Sequence, residues 1–287
     1  MRTLNLFIFA VFSTSCWAQQ LNPDRVYPPF WVGTSGLYVS IEKQMQVTVK
    51  AVANSSSAAD SDLAIGDVLI SVGGRNLSVK DPRVPMGEAI GDAEATDGKL
   101  SINVLRGTDE AKVELTIPVL GSYSDNWPAD CKKSDTIINN TAKYVAASQL
   151  PDGTYKFKSG RGIRDTLQGC LTSLFLLSTG DDIYLPNVRL HAHHLAELAE
   201  TRKNAGGHVN WQLGYQGIFL CEYYLRTGDR QVLAGLQELC DWCIDNQAAG
   251  GWGHGEGVGP GYVQSGLMNH AGVPILITLI LSQECGI

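Results

Sequence analysis

The chain has 287 residues and is 44% hydrophobic, enough for one large or two ordinary packed domains and too apolar for wholesale disorder. Its formal charge is -7 with no basic run, which argues against nucleic acid and anionic membrane surfaces as partners.

The first residues read as a processing signal. Arg2 supplies a positive start, Leu4 to Phe12 an apolar stretch, and Ser13 to Ala18 small residues for cleavage after Ala18. The segment is too short to anchor the chain across a bilayer. Residues 1–18 are therefore expected to be a signal peptide, and the mature chain to be exported, periplasmic or extracellular. Six cysteines follow it: Cys131, Cys170, Cys221, Cys240, Cys243 and Cys285. An exported chain permits disulfides, but the pairing cannot be deduced from spacing. Cys240-Asp241-Trp242-Cys243 falls late in a helical pattern, so buried thiols or a structural disulfide are expected there and not a redox or zinc motif.

Residues 22–125 read as one β-rich module with a Pro- and aromatic-containing lead-in. Gln46 to Ala53 is a strand. Gly66-Asp67 turns into the strand Val68 to Val72, and Gly73-Gly74 makes a tight turn. Met86 to Ala95 is a short helix. Leu100 to Arg106 and Ala111 to Leu120 form a hairpin around Gly107-Thr108. The expected fold is a compact α+β domain.

The run Leu63-Ala64-Ile65-Gly66-Asp67-Val68-Leu69-Ile70-Ser71-Val72-Gly73-Gly74, after Ser57-Ala58-Ala59, resembles the core signature of bacterial PDZ domains. The resemblance implies strand addition of an extended peptide or a protein C-terminus. Its carboxylate loop would be Ser35-Gly36-Leu37-Tyr38-Val39, so Gly36, Leu37, Tyr38 and Val39 are the candidate peptide-binding residues. The facing helix would be Met86 to Ala95. The loop departs from the usual Gly-Leu-Gly-Phe, and Asp81 to Pro85 is unusually Pro-rich. A retained module used for docking or internal contacts is the competing reading.

From residue 130 the pattern becomes helical, with segments at about 135–149, 165–179, 187–203, 212–227, 229–247 and 264–283. Thr179-Gly180-Asp181 and Thr227-Gly228-Asp229 are near copies, each a Gly stop followed by an acidic start. Pro274 should kink the last helix or mark its true start. The loops Gln149 to Tyr155, Ala205 to Trp211 and Gln247 to Trp252 echo one another at a helical-hairpin period.

The echo resembles the Gln-x-x-Asp-Gly-x-Trp turns of α/α toroids, the fold of terpenoid cyclases and prenyltransferase β subunits. Residues 130–287 are then a partial toroid of three hairpins. The segments at 165–179, 212–227 and 264–283 would be inner helices. Three hairpins are too few to close a ring, so a fragment of a longer protein, or pairing with another chain, is expected. The order of segments, with Pro118 to Ser124, Asp130 to Ser134, Glu222 to Asp229, Trp252 to Gly255 and Met268 to Gly272, resembles an uncharacterised exported bacterial family. In that family a PDZ domain precedes an α/α toroid, and no activity is established.

The toroid resemblance implies a mouth that gathers Arg161, Arg164 and Asp165, then His208, Asn210, Trp211 and Tyr215, then His254, Glu256, Tyr262, Asn269 and His270. Aromatic faces beside imidazole, amide and carboxylate groups suit a sugar or other polar ligand. Trp252, Tyr262, Asn269, His270, His208, Trp211 and Tyr215 are the candidate ligand-binding residues. If the protein is an enzyme, a glycan hydrolase or lyase, then Glu256, His254 and Asp165 are the acid–base candidates. The competing reading is that these groups tie loops together. His191-Ala192-His193-His194 places His191 and His194 on one face, read as solvated because no third metal ligand is suggested. No P-loop, dinucleotide or nucleophile-elbow pattern is present, and no cofactor or metal is expected.

Overall fold

The computed structural model describes residues 21–156, 162–200, 208–255 and 266–287, and only the backbone of 162–165. The expected signal peptide lies outside them. Two compact units divide after Asp135.

The first unit is an antiparallel sheet with one helix. Its strands are β1 (Phe30–Trp31), β2 (Leu37–Ile41), β3 (Val47–Val52), β4 (Val68–Val72), β5 (Arg75–Asn76), β6 (Lys99–Arg106) and β7 (Asp109–Thr116), with helix α1 (Arg83–Ala95) before β6. The order is β1-β2-β3-β4-β6-β7, with β5 on β4. Alternation decides the faces: Leu100, Ile102 and Val104 of β6 and Val113 and Leu115 of β7 point into the core, where Met86, Ala89 and Ala93 of α1 meet them.

Gly66 sits at φ +95°, a conformation that needs glycine, and leads into β4. Asp67 is buried, and its carboxylate accepts from the Ala64 amide at 2.9 Å and from Arg106 Nε at 2.8 Å. Gly73 passes so close to α1 that a Cβ there would lie 2.8 Å from that of Ala89. Helix α1 begins at Arg83, earlier than expected. Pro85 does not delay it, because a first-turn amide has no intrahelical partner to lose. β7 stops at Thr116, short of Leu120, just ahead of Pro118.

The second unit holds α3 (Gly162–Ser178), α4 (Leu185–Glu200), α5 (Val209–Thr227), α6 (Leu233–Asp245) and α7 (Asn269–Glu284), while α2 (Lys132–Ala147) contains the division between the units. The near-copy turns are structural copies. Gly180 and Gly228 take φ +70° and +68°. Asp181 and Asp229 each accept from the amide two residues on, Ile183 at 3.0 Å and Gln231 at 3.1 Å. These Asp caps start short 3-10 turns that run into α4 and α6.

α5 packs between α3 and α7, α4 packs on α6, and α3–α4 and α5–α6 are hairpin neighbours. Glycines set the closest approaches. A Cβ on Gly217 would fall 2.0 Å from Thr278 Cγ2, one on Gly214 2.6 Å from Pro274 Cβ, and one on Gly235 2.3 Å from the Ala196 carbonyl. α7 starts at Asn269 and runs through Pro274, so the proline does not mark its start. Val273, Leu276, Ile277 and Ile280 of α7 are exposed. No helix among the described residues is long and apolar enough to cross a membrane.

Candidate functional site

The N-terminal ends of α5 and α7 bring together residues from two loops. Trp211, in the first turn of α5, donates its indole Nε1–H to His254 Nδ1 at 3.0 Å, with the two rings only 13° from parallel. His208, at the cap of α5, lies with its ring centroid 4.5 Å from that of His254. His270, in the first turn of α7, sets its ring edge-on to Trp211 at 4.5 Å and lies 6.4 Å from His254. His208 and His270 are exposed and His254 is buried.

The loop is held from beneath. Asn210 donates to the carbonyls of Gly253 at 3.3 Å and Gly255 at 2.7 Å, and accepts from Asn246 at 3.1 Å. Both asparagines are buried, so these bonds answer polar groups that would otherwise cost stability. His254 is therefore delivered by a pinned backbone. Burial, then the neighbouring His208 and His270, lower its pKa below the usual imidazole value. The indole bond adds to this: protonating Nδ1 would set two donors against each other.

Other candidate ligand-binding residues also carry packing contacts. Trp252 is buried, donates from Nε1 to the Cys243 carbonyl at 2.7 Å, and accepts the Met268 amide at its own carbonyl at 2.9 Å. These bonds tie the end of α6 to the start of α7. Tyr215 follows Trp211 by one turn and packs against the core of the unit. Asn269 is exposed beside His270, at the rim of a hollow of about 240 Å³ that Trp252, Leu267 and Val273 also line. Glu256, Tyr262 and Arg161 lie outside the described residues, as do the side chains of Arg164 and Asp165.

A second polar cluster was not foreseen. Tyr155 Oη and Ser173 Oγ lie 2.9 Å apart, and Ser173 Oγ and His191 Nδ1 2.7 Å apart. His191 stacks on Phe219 at 5.3 Å, and a Cβ on Gly169 would come within 3.0 Å of the imidazole. The expectation of a solvated His191 is thus corrected: it is 2% exposed. Burial first, then His194, lower its pKa to about 3. The signal was in the sequence, since Val188, Ala192, Leu195 and Ala199 form the apolar stripe of α4 and His191 falls within it. Its neighbour His193 instead reaches Asp229 at 2.9 Å. Among the described residues no group of three or more His, Cys, Asp or Glu is arranged to hold a metal.

In the first unit, Gly36 turns the chain at φ +82° into β2, and Leu37 and Val39 point into the core. The edge of β2 away from β3 is already occupied by this chain. Tyr27 donates to the Ile41 carbonyl at 2.9 Å and Val32 to the Leu37 carbonyl at 2.8 Å. Between them Phe30 pairs with Val39 and Trp31 with Tyr38. A Cβ on Gly33 would meet Ile90 of α1 at 3.2 Å, so this segment reaches the helix as well as the strand. The Leu37 amide, in the loop expected to receive a carboxylate, donates to Ser35 Oγ at 3.2 Å.

Fold and sites together define a two-unit chain: an antiparallel α+β sheet unit followed by a helical unit with an imidazole–indole cluster. Residues 134–287, more than half of the chain, match the domain of unknown function DUF6288, and the chain belongs to that family. No curated protein matches it.

Proposed function

We propose that this is an exported binding protein, in which a PDZ-like module precedes an arc of an α/α toroid that holds a polar ligand. The toroid reading is supported by the neighbour relations of α3, α5 and α7 on one side and α4 and α6 on the other. Recurrence of the Gly–Asp turns before α4 and α6 adds to it. The observation that carries the ligand reading is the cluster itself. Exposed His270 packs on Trp211 and exposed His208 on His254, at the N-terminal ends of two neighbouring helices, offering aromatic faces and directed N–H groups beside positive helix ends. An oxygen-rich ligand such as a glycan fits that chemistry.

Within the first unit the reading favours an internal role for the peptide groove. The chain's own Tyr27–Val32 segment lies on the β2 edge where a peptide would add. An external C-terminus would have to displace it. The alternative of a glycan hydrolase or lyase needs His254 as acid or base. Its Nδ1 is taken by Trp211 and its surroundings favour the neutral form, which suits a positioning role better.

The test is titration of the purified chain with a polysaccharide panel by calorimetry, with turnover followed in parallel. Binding that is lost in Trp211→Ala while the helical circular dichroism is kept supports the reading. Absence of any binder, or a Trp211→Ala variant that binds as well as the parent, refutes it; release of new sugar ends would favour the enzyme. For the first unit, a tight binder from a C-terminal peptide library would overturn the internal role of the groove.

A further inference from the structure

α5 and α7 run side by side along a seam of small residues. Gly214 faces Pro274, Gly217 faces Thr278, and Thr278 Oγ1 donates to the Gly214 carbonyl at 2.8 Å. Further along the same seam lie two cysteines. Cys285 Sγ is 3.9 Å from the Cys221 carbonyl, and Cys221 Sγ is 3.9 Å from the Thr278 carbonyl. Both are free, buried thiols here. A disulfide needs Cβ atoms about 3.5–4.5 Å apart, and only closely approaching backbones provide that between neighbouring helices. The glycine seam is such an approach.

We infer that Cys221 and Cys285, free thiols in this structure, are the pair that oxidation joins, stapling the end of α7 to α5. The other described cysteines are placed differently. Cys131 is buried just ahead of α2, and Cys170 is wholly enclosed in α3. Cys240 and Cys243 lie one turn apart on α6. Of the pairings that spacing left open, the sulfur contacts across the α5–α7 seam favour Cys221 with Cys285.

The chemistry is thiol–disulfide exchange with a small external disulfide of the glutathione type. One protein thiolate attacks it, forming a mixed disulfide and expelling one thiol. The second protein thiol, deprotonated, attacks the bound sulfur and expels the other. Two protein thiols are oxidised by two electrons, and the external disulfide is reduced to two thiols. In the folded chain Cys221 is fully buried and Cys285 is 6% exposed, and burial raises both thiol pKa values. Exchange in the native state is therefore slow, and the bond forms as the chain folds under oxidising conditions. Once closed it is shielded from reductant by the same burial.

The experiment uses the full chain, denatured and reduced, then refolded in a glutathione redox buffer, quenched with acid and alkylated. Peptide mapping without reduction should show the Cys221 and Cys285 peptides linked, with Cys131, Cys170, Cys240 and Cys243 alkylated. The linked form should unfold at higher denaturant than the same protein after reduction. Cys285→Ala should fold to the stability of the reduced parent and show no link at Cys221. Alkylation of both Cys221 and Cys285 after oxidative refolding would overturn the inference. So would a link from Cys221 or Cys285 to Cys240, or equal midpoints for linked and reduced protein. The ligand reading plays no part in this test.

Discussion

Gly217→Ala tests the packing of the helical unit most directly. The added Cβ would sit 2.0 Å from Thr278 Cγ2, 2.5 Å from Oγ1 and 2.8 Å from Cβ, all closer than real contacts allow. Rotating Thr278 would relieve the first two. It would also break the 2.8 Å bond to the Gly214 carbonyl in a fully buried place, a loss of about 1 kcal/mol. The Cβ contact survives any rotation, so α7 must also move, and overpacking of this kind costs about 1–3 kcal/mol. Removing a helix-interior glycine returns about 1 kcal/mol. The net expectation is a loss of about 1–3 kcal/mol, read as a lower urea midpoint at unchanged slope in far-UV circular dichroism. Thr278→Ala removes two of the three clashing atoms, so the double variant should be less unstable than the two single losses predict, by about 1–2 kcal/mol. A Gly217→Ala protein as stable as the parent would refute the seam, and strict additivity would refute the contact with Thr278.

Two further outcomes follow from buried or paired charges. His191 is held neutral, with its pKa lowered from 6.5 to about 3 by burial. The unfolded chain therefore takes up the proton first. The stability this contributes is whole above pH 6.5 and drains as pH falls toward 3. His191→Gln, which can still accept from Ser173, should flatten the fall in denaturant midpoint between pH 6.5 and 5; an unchanged profile counts against the burial argument. Asp229 is lowered from 3.8 to about 2, first by the Tyr223 hydroxyl at 2.6 Å and then by His193. Its contribution is present above pH 3.8 and is lost as pH falls through about 2. Asp229→Asn should cost about 1–3 kcal/mol near neutrality and little near pH 2, and an equal cost at both would show that charge plays no part.

Particular residues show where reading from sequence succeeds. Gly66-Asp67 was legible as a turn into a strand because the conformation is dictated by one glycine and its immediate neighbours. The same holds for Gly180-Asp181 and Gly228-Asp229, whose caps close within two residues. The grouping of His208, Trp211, His254 and His270 was expected only through a repeat resemblance, and the structure brings these four together. Nothing local in the sequence reveals that the Trp252 indole reaches back to Cys243.

What the sequence determined by itself is therefore the short-range part: helix stops and starts, the hairpin around Gly107, and a sheet followed by helices. Each depends on φ preferences or on side chains bonding backbone a turn away. Tertiary structure decided the rest. It set the 39-residue reach from Asp67 to Arg106 and the burial of His191 against Ser173. It paired Tyr27–Val32 with the edge of β2, and it brought Cys221 beside Cys285. These depend on which helix faces and strand edges meet, and a single chain's spacing carries no record of that until glycines such as Gly217 let two backbones approach.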